Sequence, residues 1–140
     1  MKYWSDPAQP ITAFMKLFSK TTQDEDLRKS MLGLNQLILF DYTQDGPDCA
    51  IWLDARNNQL SYGPGKPPGE PDLTLSTGAD EAHLSWANKL NAVQAITRGK
   101  IKVRGSAAAL LKLAPKSKKT AEYYTEALKE LGWEDKLDMK

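Results

Sequence analysis

The sequence predicts an α+β domain, in which short strands are combined with amphipathic helices. Three observations support this class: helical spacing of apolar residues near both ends of the chain, five short strand-like segments, and turn signals between them. The chain has 140 residues, of which 41% are hydrophobic and 26% charged. This composition is typical of a globular protein with its own core, so we expect one domain over residues 1–140.

The N-terminal quarter predicts two helices. The first follows Pro10, with Asp6-Pro7 as cap and first-turn proline, and its apolar residues have helical spacing: Ile11, Phe14, Met15 and Phe18. Asp24 is expected to cap a second, short helix over residues 27–31, which Gly33 ends.

Three strands with two short connections are predicted next. Residues 34–42 are rich in Leu, Ile, Phe and Tyr, residues 50–55 form a second apolar run, and a third strand begins at residues 60–62. Asp45-Gly46 is a turn signal, and Asn57-Asn58 tolerates left-handed backbone. The three segments therefore predict an antiparallel meander.

A loop rich in proline and glycine separates the meander from the fourth strand. Residues 63–71 hold three glycines and four prolines, which excludes a helix or an inner strand. Residues 72–77 then alternate in polarity, so Leu73 and Leu75 are expected to point inward.

The next segments predict two helices and a fifth strand. Asp80-Glu81 opens one helix, Asn91 caps another over residues 92–97, and Gly99 ends it. Residues 100–104 alternate between basic and apolar side chains, which predicts a strand with a basic row on one face.

The C-terminal third is predicted to be helical. Ser106 is a candidate cap for residues 107–113, and Pro115 fits the first turn of a last helix. Gly132 is a stop signal, and the apolar face of the last helix carries Tyr124, Leu128 and Leu131. The residues after it are mostly polar.

The reactive side chains are few. His83 is the only histidine and Cys49 the only cysteine, so the usual histidine-based zinc site cannot be assembled. We predict no catalytic residues, no metal and no cofactor, with His83 on the polar side of a helix and Cys49 a strand-edge or core thiol. One cysteine and no membrane-length apolar run favour the cytoplasm.

Charge is unevenly distributed, although the net charge is only +1. Residues 82–121 carry nine basic and no acidic side chains, and the rest carries 10 basic against 18 acidic ones. The favoured interpretation is the wet face of a strand and helix; an anionic partner, or pairing between two copies, is the alternative. Nucleic acid is disfavoured, because no aromatic residue lies between Trp86 and Tyr123.

The order of these segments resembles the sterol carrier protein type 2 family. The resemblance is carried by residues 96–113, which read Ile-Thr-Arg-Gly-Lys-Ile-Lys-Val-Arg-Gly-Ser-Ala-Ala-Ala-Leu-Leu-Lys-Leu. Upstream, Pro-Asp-Leu-Thr-Leu-Ser at residues 71–76, Asp45-Gly46 and the strand around Trp52 are similar to the family's earlier elements. The match covers residues 32–113, with helical flanks on both sides.

The resemblance implies a five-stranded, mostly antiparallel sheet covered on one face by helices, with an apolar tunnel between the layers. It implies binding or transfer of a fatty acid, acyl-CoA, phospholipid or sterol-like lipid, a transient contact with an anionic membrane, and a monomer or homodimer. The alternative is a non-ligand structural or dimerising accessory module on the same fold.

The candidate tunnel wall consists of the dry faces of the sheet and helices: Phe14, Met15, Phe18, Leu73, Leu75, Leu84, Trp86, Ile96, Ile101, Val103, Leu110 and Leu113. For each of these residues the competing interpretation is that it fills the core. The candidates for a head group or an anionic surface are Lys100, Lys102, Arg104 and Lys112. The last helix is expected to cover or extend the tunnel mouth.

Overall fold

The computed structural model describes residues 2–106 and 108–138, and for Ala109 and Leu110 it describes the backbone alone. The helices are α1 (Ala8–Thr21), α2 (Glu25–Leu32), α3 (Ala79–Trp86), α4 (Ala92–Thr97), α5 (Ala108–Leu113) and α6 (Ser117–Glu130). The strands are β1 (Leu37–Asp41), β2 (Ala50–Asp54), β3 (Ser61–Pro64), β4 (Leu73–Ser76) and β5 (Lys102–Arg104). Short 3-10 turns cover Thr43–Asp45, Arg56–Asn58, Ala114–Lys116 and Glu134–Leu137.

The five described strands form one sheet in the order β3-β2-β1-β4-β5. The pairs β1–β2, β2–β3 and β4–β5 are antiparallel, and β1–β4 is parallel. The expected α+β class, the mostly antiparallel sheet and the initial meander are therefore confirmed. The parallel pair arises because the chain leaves β3 at one edge and returns on the far side of β1 to form β4.

The strand register separates two faces of the sheet. Ile38 is paired with Leu53 and Leu73, and Phe40 with Ile51 and Leu75, so these buried side chains share one face. Half-buried Leu39, Trp52 and Thr74 lie on the other face. Helices pack over the first face, where Phe18 of α1 contacts Phe40 of β1 with ring centroids 5.7 Å apart.

Helix α1 lies between the sheet and α6. Its fully buried residues are Pro10, Ala13, Phe14 and Leu17, and its ends are fixed by capping and by ion pairs. Asp6 accepts a hydrogen bond from the Ala8 N–H at 2.8 Å, as expected for a cap. On the outer side, Lys20 pairs with Glu126 and Glu130 of α6, which holds the two helices together.

The capping residues expected for the shorter helices are confirmed. The Asp24 side chain accepts from the Leu27 N–H at 3.0 Å, and the Asn91 side chain from the Gln94 N–H at 3.1 Å. The proline- and glycine-rich segment is a surface connection, apart from Gly63 and Pro64, which extend the edge strand β3. An edge strand tolerates proline because one side of it has no ladder partner.

The prediction for His83 is wrong, because its side chain is fully buried. Its Nδ1 atom lies 2.6 Å from the Tyr124 hydroxyl oxygen, and its Nε2 atom lies 2.8 Å from the main-chain oxygen of Lys136. Because a carbonyl oxygen can only accept, Nε2 carries the proton and Nδ1 accepts from the Tyr124 O–H. Both partners are distant in sequence, so helical periodicity could not indicate them.

His83 is the centre of what we call the terminal clamp: Tyr3, Trp4, His83, Tyr124 and Lys136. The Trp4 and His83 rings meet edge to face, with centroids 5.1 Å apart, and the Trp4 indole N–H donates to the Ala79 carbonyl at 3.2 Å. The Lys136 ammonium donates to the Tyr3 carbonyl at 2.7 Å and lies 5.3 Å from the Trp4 ring centre. The clamp joins both ends of the described chain to α3.

Candidate functional site

A cavity of about 440 Å³ lies between the inner face of the sheet and the helices. All six helices and strands β1, β2 and β4 contribute residues to its lining. Its large apolar side chains are Leu17, Phe18, Leu27, Met31, Ile38, Phe40, Leu53, Leu75, Trp86, Leu90, Ile101 and Leu113. The volume falls within the roughly 300–1,000 Å³ range of small-molecule sites.

Three aromatic rings form one wall of the cavity. Phe18, Phe40 and Trp86 contact one another in pairs, with ring centroids 5.5–5.7 Å apart, in the range of favourable aromatic contacts. They come from α1, β1 and α3, so the wall joins the sheet to both helices. This arrangement provides a large apolar surface whose shape is fixed by its own packing.

The cavity reaches the surface between two connections. The first is the α3–α4 connection with the start of α4, where Asn88, Asn91 and Val93 are exposed. The second is the α5–α6 connection with the start of α6, where Ala114, Pro115 and Lys118 are exposed. We call these six residues the mouth. The opening therefore lies between α4 and the start of α6.

The polar groups of the cavity wall differ in their partners: some bond to the backbone, whereas the buried Ser85 hydroxyl and Trp86 indole N–H have no hydrogen-bond partner among the described residues. The hydroxyls of Thr77 and Thr120 donate to the carbonyls of Lys100 and Lys116 at 2.9 and 3.0 Å. Burial raises the pKa of Tyr42 well above its usual range, and the nearby Trp86 side chain only partly opposes this effect. The Tyr42 hydroxyl is therefore neutral at physiological pH, and the interior is an uncharged, apolar environment.

Two lysines near the mouth differ in their partners. Lys116 forms an ion pair with Asp26 at 2.9 Å, whereas Lys118 is exposed and forms no ion pair with a described residue. Lys118 is thus the mouth residue that can meet an anionic group of a ligand. Its position at the mouth could not be predicted from the sequence, because the run of lysines there resembles any solvated helix start.

A cluster that we call the latch holds α2 against the start of α6 beside the mouth. It consists of Asp24, Asp26, Lys116, Lys119 and Tyr123. Asp24 accepts a 2.6 Å hydrogen bond from the Tyr123 O–H and pairs with Lys119 at 3.0 Å. The Tyr123 hydroxyl, the Leu27 N–H and Lys119 together hold the pKa of the Asp24 carboxyl well below its usual range.

Five of the predicted wall residues line the cavity: Phe18, Leu75, Trp86, Ile101 and Leu113. Phe14 and Leu73 are fully buried in the core, and Met15, Leu84, Ile96 and Val103 are half-buried outside the lining. The side chain of Leu110 lies outside the described part of the chain. The six described residues of this set do not border the cavity, and for Leu110 a place in the wall stays a prediction.

Several lining residues were not identified from the sequence. Leu27 and Met31 are one helical turn apart on α2, and Ile38 and Phe40 alternate on β1. For Leu27 and Met31, the i, i+4 spacing on α2 could have indicated a shared face. For Ile38 and Phe40 no pattern was available, because β1 is apolar on both faces.

The predicted head-group row lies away from the cavity. Ile101 lines the cavity, and successive strand residues point to opposite faces, so Lys102 and Arg104 lie on the second face of the sheet. Lys100 and Lys112 are exposed and are not among the lining residues.

The comparison with protein families decides the identity of the fold. A family model described as the SCP-2 sterol transfer family matches residues 9–116. The chain belongs to this family. Because this match includes residues 96–113, the resemblance inferred from them is confirmed. SCP-2 domains bind and transfer lipids.

Solved SCP-2 structures share the fold of this chain. The sterol carrier protein domain 2 of Helicoverpa armigera superposes with a TM-score of 0.60 at 16% identity, covering 81% of this chain and 91% of that one. Sterol Carrier Protein 2 from Yarrowia lipolytica, in its apo form, gives a TM-score of 0.57 at 21% identity, covering 91% and 98%.

A curated relative is longer than this chain. Hydroxysteroid dehydrogenase-like protein 2 of Xenopus laevis is 27% identical over 110 residues, which is 78% of this chain and 25% of the relative. The chain thus spans about a quarter of that protein.

Two further properties of the described residues bear on the site. Within residues 2–106 and 108–138, no group of three or more His, Cys, Asp or Glu side chains is placed to hold a metal ion. None of the helices in the same residues has the length and apolarity needed to cross a membrane.

Proposed function

We propose that the chain binds one lipid in the cavity and transfers it through the mouth. The observation that carries this proposal is the apolar cavity of about 440 Å³ behind the Phe18, Phe40 and Trp86 rings. The candidate ligands are a fatty acid, an acyl-CoA, a phospholipid or a sterol-like lipid. The volume lies near the lower end of the usual range, which favours a single acyl chain or ring system over a two-chain lipid.

The energetics of burial support a site without specific polar contacts. Each buried methylene contributes ~0.8 kcal/mol, so a dozen or so of them contribute ~10 kcal/mol before the costs of association. Those costs are of similar size, so affinity depends on how completely the chain fills the cavity. The polar end of the ligand would lie at the mouth, near Lys118.

We further propose that this function is non-catalytic and that it is carried out in the cytoplasm. Both ring nitrogens of His83 are occupied by Tyr124 and Lys136, outside the cavity lining. Burial, with smaller contributions from the Asp45 and Asp41 carboxylates, raises the pKa of the Cys49 thiol to about 11. Neither side chain is therefore suited to act as base or nucleophile, and a free, buried thiol suits a reducing compartment.

Filling the cavity tests the proposal. Leu75→Trp adds volume inside the lining, whereas Leu39→Trp adds the same volume on the second face of the sheet. Native mass spectrometry and titration with a fluorescent fatty acid, an acyl-CoA and a sterol would be applied to each folded variant. We expect wild type and Leu39→Trp to bind at least one probe and Leu75→Trp to lose it; failure of all probes with wild type would contradict the proposal.

The alternative of a dimerising accessory module rests on the charge split along the chain. Within the structure, Lys116 and Lys119 of the basic segment pair with Asp26 and Asp24 of the same molecule. Some of the basic side chains of this segment are thus paired with carboxylates of the same molecule, which weakens the argument for charge pairing between two copies. Light scattering at low and high salt distinguishes the lipid-binding domain from the dimerising module. A molecular mass of one chain at every salt concentration would contradict the dimerising module.

A further inference from the structure

Two buried polar atoms of the cavity wall have no hydrogen-bond partner in the described part of the chain. They are the hydroxyl oxygen of Ser85 and the indole nitrogen of Trp86, and both residues line the cavity. Among the described residues, the other buried side-chain atom in this state is Oε1 of Gln36, which lies outside the lining. Because a buried polar group without a partner costs free energy, such groups are rare, and two of them in one cavity wall point to a ligand.

The Ser85 hydroxyl differs from several other hydroxyls on helices. Those of Thr12, Ser30 and Thr97 each donate to the carbonyl one helical turn earlier, at 3.0–3.1 Å. Ser85 makes no such bond, although Glu81 lies one turn before it on α3. Its hydroxyl is therefore available to donate to, or accept from, a group that enters the cavity.

The Trp86 indole is held in place by packing, yet its N–H is unpaired. The ring contacts three phenylalanine rings, with centroids 5.5–6.3 Å apart. The Tyr42 hydroxyl, which also belongs to the lining, is near the indole, but the two groups are not in hydrogen-bonding geometry. By contrast, the Trp4 indole N–H donates to the Ala79 carbonyl, which is the usual outcome for a buried indole.

We propose that Ser85 and Trp86 bind a neutral oxygen, a hydroxyl or a keto group, on the part of the lipid that enters the cavity. The indole N–H can only donate, and the serine hydroxyl can donate or accept, so an oxygen with free lone pairs can bond to both. This inference rests on the proposed function. It narrows the ligand to an oxygenated lipid, whose polar contact adds to the burial of apolar surface.

The charges of the lining distinguish this oxygen from a carboxylate head group. The charged side chains among the described lining residues are Lys116 and Lys118, and both lie near the mouth. A carboxylate beside Ser85 and Trp86 would be buried without a counter-ion, which is strongly unfavourable. An anionic end of the ligand therefore stays near Lys118, and the group at the two unpaired atoms is uncharged.

Three probes of equal chain length test the inference with the full chain: palmitic acid, its terminally hydroxylated analogue, and an analogue with a mid-chain keto group. Their affinities would be measured by displacement of the fluorescent fatty acid, and the two analogues distinguish an oxygen at the chain end from one in the middle. Ser85→Ala and Trp86→Phe each remove one unpaired group. Ser30→Ala and Trp52→Phe are the matched changes outside the lining.

Wild type should bind at least one oxygenated analogue as tightly as palmitic acid, or more tightly. We expect Ser85→Ala and Trp86→Phe each to weaken that analogue about tenfold relative to palmitic acid, and the matched changes to leave this ratio as it is. A purely apolar wall gives the opposite ranking in wild type, since an unpaired oxygen is costly to bury. The inference is overturned if both analogues bind wild type more weakly than palmitic acid, or if the ratio is the same in every protein tested.

The indole N–H resonances of the labelled wild-type protein provide a second measurement. The Trp86 signal should shift further with the preferred analogue than with palmitic acid, whereas the signal of Trp4, whose N–H is already bonded, should respond equally to both. Equal Trp86 shifts with the two ligands would refute the inference. Binding of palmitic acid with weaker binding of both analogues refutes this inference alone, and absence of binding by all three probes refutes the proposed function with it.

Discussion

The Tyr124 hydroxyl lies 2.6 Å from Nδ1 of His83, and both side chains are fully buried. Burial is the main cause that lowers the pKa of His83 below its usual value, against a smaller opposing effect of the Lys136 carbonyl. A histidine whose folded-state pKa is depressed takes up a proton more readily when unfolded. Its contribution to stability is complete above the unfolded pKa of about 6.5 and is lost as the pH falls below it.

We therefore expect the free energy of unfolding, measured with urea, to fall between about pH 7 and pH 5. In His83→Gln this decrease should be smaller, because glutamine does not titrate. Tyr124→Phe is the control: it keeps the titrating histidine, so the slope should remain while overall stability drops by ~1–3 kcal/mol for the unpaired Nδ1. An unchanged slope in His83→Gln would refute the assignment.

Two glycines with left-handed backbone give a second expectation. Gly105, directly after β5, has φ +107°, and the position of a Cβ would overlap the Asp72 carbonyl oxygen in the neighbouring chain segment. Gly99 has φ +77° with open space around it. We expect Gly99→Ala to cost ~1–2 kcal/mol for conformation alone, and Gly105→Ala to cost about 3 kcal/mol or more, since backbone must also move.

Thermal and urea unfolding of both variants measure the difference. Equal losses would show that the β5–β4 edge adapts to a methyl group, and the close approach of Gly105 to Asp72 would then have no energetic importance.

The latch gives a third expectation. The pKa of Asp24 is depressed, mainly by the Tyr123 hydroxyl, so its stabilising contribution is present above the unfolded value of about 3.9 and is lost as the pH falls further. Asp24→Asn keeps a side chain that can cap α2 but removes the charge. We expect lower stability at neutral pH and a shallower decline below about pH 4.

Glu25→Gln is the matched control, since Glu25 is exposed and, among the described residues, forms its ion pair with Lys29 on the same helix at 3.3 Å. An exposed pair of this kind contributes little, so its removal should hardly change the acid titration of stability. If Glu25→Gln and Asp24→Asn behave alike, the latch has no special role.

The sequence predicted the elements well because their signals are local. Asp24 and Asn91 cap the helices expected of them, and Ala92–Thr97 has the predicted bounds. In α1 the predicted apolar face is offset slightly, since Leu17 is fully buried while Ile11 and Met15 are only half-buried. A helical face is broad enough that spacing alone does not identify its centre.

The cavity was harder to predict because it depends on which face of each strand is covered. In β1, Ile38 and Phe40 line the cavity, whereas Leu39 pairs with Trp52 on the second face. A run of four apolar residues carries no alternation from which to choose between these faces.

The latch and the terminal clamp could not be predicted at all, because their members are far apart in sequence. Lys116 and Asp26 are separated by 90 positions, and His83 and Tyr124 by 41. Residues this far apart are not linked by any periodic pattern in the sequence. Only assembly of the sheet and helices brings these side chains together.

The hydrogen bond from Lys136 to the Tyr3 carbonyl joins residues 133 positions apart, almost the whole chain. Closing so long a loop carries a large entropic cost and is favourable only after the core has formed. We therefore expect this contact to be made late in folding and to open early on heating, before the sheet does. Amide hydrogen exchange would show faster exchange at residues 2–4 than in β1 under native conditions, and equal rates at the two places would mean that the chain ends open only with global unfolding.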